Sequence, residues 1–280
     1  MSIHEDKTVK DLGIKKGKLL FFGGVYSNLQ SLTALQQWAT TNNYDATNIF
    51  CTGDILGYCA QPRECIDLIK QWGIYSIAGN VELQIRNGED DCGCDFKDGG
   101  RCDLFSRNWY TYIQNNITQN SIDWLHTLPH HIQFYWQGKK IIIVHGSWFQ
   151  TSDFIFRSTD WERKEENFSA TGAEIIIAGH CGLPFTHVHE KKHWLNAGVI
   201  GMPANDGTDR VWFLTLEETV NKEVVFQFHF YTYNSSKASQ LMLENGLPVT
   251  YAHTLCTGIW DNCEILPEAE TAQQGKIISF

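Results

Sequence analysis

The sequence predicts an α/β fold, in which buried strands alternate with helices, and three observations predict it. First, four apolar runs each stop at a glycine paired with a ligand-type residue: residues 49–51 before Thr52-Gly53-Asp54, 74–78 before Gly79-Asn80, 141–144 before His145-Gly146, and 175–178 before Gly179-His180. Continuous apolar runs mark strands buried on both faces. Second, Leu29, Leu32, Leu35 and Trp38 recur with helical spacing between two such runs. Third, the opening order is strand, helix, strand, helix, strand, the pattern of a parallel sheet with crossover connections.

Taken in order, residues 1–17 are polar and charged and read as a frayed tail. A strand at 18–22 leads into the loop Gly23-Gly24-Val25-Tyr26-Ser27-Asn28 and a helix over 29–41. After the strand at 48–51, Pro62 opens a helix through Cys65, Ile66, Leu68, Ile69 and Trp72, since proline suits a first helical turn. Residues 87–103 form an acidic, glycine-rich loop carrying Cys92, Cys94 and Cys102. Helices are expected at 104–117 and 121–128, the second closed by Pro129. Strands follow at 133–136, 139–144, 174–178, 185–189, 194–196, 210–216 and 224–231, with residues 147–172 a polar helical excursion or lid. A helix at 235–245 stops at Gly246, with Pro248 beyond it. The expected division is a tail (1–17), a main domain (18–232) and a small C-terminal helical extension (233–280).

Apolar residues make up 42% of the 280, with ten Trp and sixteen Phe, so a substantial core is available and global disorder is excluded. The net charge of −10 argues against a nucleic-acid backbone or an anionic membrane as the main partner. No positively charged apolar leader and no membrane-length apolar run is seen, so a cytoplasmic protein is expected. Nine cysteines in a reducing compartment suggest metal ligands or core packing before disulfides. No heptad pattern marks an oligomer interface, and the oligomeric state is left open.

Gly53-Asp54 alone fits a strand-to-loop turn with the aspartate as a local cap. Repetition changes that reading. In α/β proteins the carboxyl ends of strands open on the ligand crevice, and here four of them deliver Asp54, Asn80, His145 and His180. Oxygen and imidazole donors at one end of a sheet point to a metal site.

These motifs resemble the calcineurin-like metallophosphoesterases, and the run Gly53-Asp54-Ile55-Leu56-Gly57-Tyr58 with Pro62 and Glu64-Cys65 is similar to their bacterial phosphodiesterase-like branch. Asn196-Ala197-Gly198 is close to that branch's Asn-Pro-Gly. The resemblance covers about residues 18–216 and implies a four-layer αββα metallophosphoesterase sandwich. It also implies hydrolysis of a phosphate mono- or diester on a small phosphorylated molecule or nucleotide, with Asp54, Asn80, His145 and His180 holding a divalent or trivalent transition metal, Mn, Fe or Zn.

The departures fall on one side of the implied site. Gly24 and Tyr26 stand where the family has an aspartate and a histidine, Val81 where it has its catalytic histidine, and Gly182 where it has its last histidine ligand. One metal position is then intact and its neighbour dismantled, which impairs the family's usual two-metal hydrolysis. Tyr26 and Glu82 are the catalytic candidates, and Asn28 and Tyr58 the substrate-binding ones. Cys181 is either a further thiolate donor or a core side chain, and Cys92, Cys94 and Cys102 are candidates for a second metal or redox site. His187 and His189 share one face of a strand, out of register with the missing histidine, and are expected to meet solvent. The alternative reading is a catalytically inactive relative that binds a metal or a phosphorylated ligand as a sensor. A third reading makes the loop cysteines of a redox or metal-handling module the active part.

Overall fold

The computed structural model describes residues 7–94, 96, 99–219 and 224–280. Two sheets lie face to face. The first has the strand order β1-β5-β6-β7-β9-β8, from β1 (Val9–Lys15), β5 (His131–Trp136), β6 (Lys139–Ile143), β7 (Ile175–Ala178), β8 (Pro184–His189) and β9 (Lys192–Ala197). The second has the order β11-β10-β2-β3-β4, from β2 (Leu19–Phe22), β3 (Ile49–Cys51), β4 (Tyr75–Ser76), β10 (Val211–Glu218) and β11 (Val224–Tyr231).

Successive side chains of a strand point to opposite faces, and this places each apolar run in two interfaces at once. Leu19 and Phe21 of β2 and Phe50 of β3 meet Phe134, Ile141, Ile143, Ile175 and Ile177 between the sheets. Phe50 stacks on Phe134 with centroids 5.0 Å apart. Leu20, Phe22, Ile49 and Cys51 turn to the outer helices α1 (Leu29–Thr41) and α2 (Pro62–Trp72). On the other side Ile142, Ile176 and Ala178 pack under Phe168 of α6 (Trp161–Thr171). The layers are helix, sheet, sheet, helix, as expected.

Helices α3 (Asn80–Asn87), α4 (Arg101–Asn116) and α5 (Gln119–Leu125) complete the layer over the second sheet. Cys102 therefore sits on α4, not in the preceding loop. Helices α7 (Ser235–Glu244) and α8 (Val249–Thr257) send Ala238, Met242, Ala252 and Leu255 into the same core, and α9 (Glu268–Thr271) follows. Among the described residues no helix is long and apolar enough to cross a membrane.

One expectation fails at the start of the chain. Val9–Lys15, read as part of a frayed tail, forms β1 and pairs in parallel with β5, Val9 opposite His131. The strand lies at a sheet edge and is exposed or half-buried along its length, so no apolar alternation announced it. Residues 1–6 lie outside the described residues.

Candidate metal centre

The segments beyond strands β3, β4, β6 and β7 carry the site, delivering Asp54, Asn80, His145 and His180 in turn. Asp54 and His180 adopt φ of 54° and 61° there, a left-handed conformation uncommon outside glycine. Gly53 lets the turn close: a β-carbon on it would lie 2.6 Å from the Gly79 nitrogen and 2.8 Å from His145 Nδ1.

The His145 ring is oriented by its neighbour on β3's turn. Its Nδ1 lies 2.7 Å from the Thr52 carbonyl oxygen, to which it donates, so in the neutral ring Nε2 carries the lone pair. Nε2 then faces Asn80 Oδ1 at 3.0 Å, His180 Nδ1 at 3.1 Å and Asp54 Oδ2 at 3.2 Å. Four electron-pair donors from four loops meet at one point, and all four residues are buried. Asp54, His145 and His180 also form the group of described residues that could hold an ion, with ligand atoms within 4.8 Å of one another.

Burial pulls the His145 imidazole down, but the Asp54 carboxylate and the Thr52 carbonyl outweigh it and leave it above its ordinary value. Burial, helped by His145, lowers His180 to about 3, so that ring is neutral. Asp54 Oδ1, the second oxygen of the converging carboxylate, is buried without a hydrogen-bond partner. An unpaired carboxylate oxygen inside a protein is costly. A cation at the convergence point satisfies this donor set, and Asn80, His145, His180 and Asp54 would hold it.

Other candidates separate by what they touch. Glu82, expected as a catalytic group, is fully buried and accepts from the backbone N–H groups of Asp54 (2.8 Å), Gly79 (2.8 Å) and Leu56 (2.9 Å). Burial and the nearby Asp54 push it up to about 7, against the pull of those N–H groups. Its oxygens clasp the ligand loops together. Asn28, expected to bind substrate, accepts from Ser31 N at the start of α1 and donates to Gly201 O (3.0 Å) and Tyr233 Oη (2.9 Å). At 1% exposure it ties down its own loop. Asn28→Ala is expected to cost about 1–3 kcal/mol through the lost cap and buried bonds, read as a lower urea midpoint.

Tyr26 and Tyr58 do line the cleft above the cluster, packed edge to face with centroids 4.6 Å apart. The Tyr26 ring lies where a side chain at Gly24 would go: a β-carbon there would meet Tyr26 Cζ at 2.7 Å and Val199 Cγ1 at 2.5 Å. Across the cleft, a β-carbon at Gly182 would approach Trp260 Cη2 at 3.1 Å. Val81 is buried in the core over the second sheet.

Cys181 lines the cleft but is held by Asn196 Nδ2 at 3.2 Å, with its thiol pushed up to about 12 by burial. Cys92 and Cys94 are joined in a disulfide, and Cys102 lies 3.3 Å from Asn262 Oδ1. Among the described residues no cysteine joins the ion-holding group. His187 and His189 share a face, His187 half-buried and His189 exposed as expected, with both rings beside Trp161, and His187 Nδ1 accepts from the buried Lys164 at 3.0 Å. Thr52, Phe154, whose ring centroid lies 4.2 Å from that of His180, and Trp260 were missed, because each acts through a contact distant in sequence.

Comparison with known proteins agrees with this fold. The chain is 25% identical over 258 residues to an uncharacterized protein of Methanocaldococcus jannaschii, covering 87% of this chain and 99% of that one. Among solved structures it is similar to a metallophosphoesterase from Sphaerobacter thermophilus, with TM-score 0.66, 21% identity, and coverage of 88% and 100%. A hypothetical protein from Pyrococcus horikoshii superimposes with TM-score 0.72, 17% identity, and coverage of 87% and 99%. The model of the calcineurin-like phosphoesterase superfamily domain matches residues 30–219, beginning just beyond the Gly23–Asn28 loop. That match spans most of the chain and all four ligand turns, and the chain belongs to the calcineurin-like phosphoesterase superfamily.

Proposed function

We propose that the chain is a metal-dependent phosphoesterase working through one cation, held by Asp54, Asn80, His145 and His180. The convergence of His145 Nε2 with three other electron-pair donors carries this reading. A cation there supplies polarisation of a phosphoryl oxygen and acidifies a water. The neighbouring position of a two-metal centre is taken up by side chains. The Tyr26 ring fills the space beside Gly24, and Trp260 the space beside Gly182.

The residues of the chain then do the rest. Tyr26 lines the cleft, and burial, with Tyr58 and Asp54 nearby, raises its hydroxyl well above the ordinary phenol value. It stays protonated and donates a hydrogen bond to the phosphoryl group. Phe154, over His180, shields the centre from water.

Charge selects the ester. A dication with the Asp54 carboxylate leaves one net positive charge, the other carboxylate of the cleft, Asp261, is paired with Arg101 at 2.8 Å, and none of the described residues lining the cleft is Lys or Arg. A singly charged diester matches that site better than a doubly charged monoester. An aryl diester is expected to exceed the aryl monoester in kcat/KM by at least about tenfold, the ratio given by about 1.4 kcal/mol. Equal or reversed rates would contradict this charge argument.

Elemental analysis is the first test of the centre, with one transition-metal ion per chain expected and two refuting the one-cation reading. A second reading is favoured by Val81. It is buried at the position of the family's catalytic histidine and supplies no proton donor. In that case the same cation binds without turnover, and the protein is a sensor of a phosphorylated ligand. Assays of aryl mono- and diesters with Mn, Fe, Zn and Mg separate the two.

A further inference from the structure

Asn80 is the one donor of the cluster whose orientation depends on the cysteine loop. Its Nδ2 donates to the Cys92 carbonyl oxygen at 2.8 Å and to Cys94 Sγ at 3.2 Å. Those bonds turn Oδ1 the other way, toward His145 Nε2. Rotated by half a turn, the amide would present N–H groups to the cation position. The turn at Cys92-Gly93-Cys94 is closed by Gly93, with φ of 63° and its N–H donated to Asp91 Oδ1 at 2.7 Å. The sulfurs of Cys92 and Cys94 are joined, which holds the carbonyl of one and the sulfur of the other on the same side, facing Asn80. Cys94 also lines the cleft, so a small molecule entering the site meets its sulfur.

We propose that Cys92 and Cys94 are a redox-responsive clamp on the ligand Asn80: the disulfide holds the cation tightly, and the dithiol releases the loop and loosens it. The inference rests on the cation centre described above. Closure uses a low-molecular-weight disulfide of the glutathione class. One cysteine thiolate attacks it and expels one thiol, and the second thiolate attacks the mixed disulfide and expels the other. The two cysteines lose two protons and two electrons, and the small disulfide is reduced to two thiols. Excess thiol runs the sequence backward.

The full chain would be equilibrated with oxidised or reduced glutathione, separated from it without air, and titrated with Mn²⁺ by calorimetry. The tryptic peptide 87–97 carries Cys92 and Cys94 and no other cysteine, so a loss of two hydrogens there reports the bond directly. The disulfide form is expected to bind Mn²⁺ about 10–100-fold more tightly, the usual effect of partners behind a metal ligand. Cys94→Ser should bind weakly in both conditions, and Cys256→Ser, an exposed thiol elsewhere, should keep the difference. Equal affinity in the two forms, or oxidation that leaves the two thiols free, overturns the clamp and spares the centre. No Mn²⁺ binding in either form overturns both.

Discussion

His145→Ala is expected to lose stoichiometric metal and, with it, hydrolysis of aryl phosphate esters. The imidazole is the hub of the cluster, since its Nε2 is the atom near which Asp54, Asn80 and His180 all lie. Changing even a group behind a ligand typically costs 10–100-fold in metal affinity, so removal of the hub should exceed about 100-fold. A thermal shift gives a second readout. Metal at about 100 times its dissociation constant stabilises the wild type by about 2.7 kcal/mol, and the variant should show no such rise. Far-UV circular dichroism of the variant separates loss of metal from loss of fold, since His145 also holds the Thr52 carbonyl. Wild-type affinity in His145→Ala would place the cation elsewhere.

The second large effect is expected at Glu82, which never touches the cleft. Its carboxylate holds three backbone N–H groups, from Asp54, Leu56 and Gly79, with no water-exposed surface of its own. Glu82→Ala leaves those donors unpaired in the interior, at about 1–3 kcal/mol each. A loss of roughly 3 kcal/mol or more is expected in urea unfolding with metal chelated. Metal affinity should fall too, because the turns of Asp54 and Asn80 are no longer fixed to each other. Glu82→Gln should rescue poorly, since its amide brings two donors of its own toward N–H groups. A variant with wild-type midpoint and affinity would mean that the clasp is dispensable.

Much of this was legible in the chain. The four ligand turns were readable because strands buried on both faces leave unbroken apolar runs, and a polar residue closing such a run stands out. Asp54, Asn80, His145 and His180 each occupy that place. Glu82 was visible as an acid in the same segment, but its task depends on three N–H groups, two of them more than 25 residues away. Asn28 was readable as a tie on its own loop as well as a substrate contact, but two of its partners, Gly201 and Tyr233, lie too far along the chain to be seen. The strand Val9–Lys15 lacked a signal altogether, because an edge exposed to solvent has no apolar period to read. Trp260 was an unremarkable residue of the tail until the fold carried it to Gly182.

The crowding at Gly24 has an evolutionary consequence. An aspartate restored there alone would drive its first carbon into the Tyr26 ring and Val199, while a histidine at Gly182 would push against Trp260. Tyr26→His would supply one absent ligand type and remove the ring atom that crowds Gly24, leaving Val199 to move, whereas a side chain at Gly182 needs Trp260 to give by a few tenths of an ångström.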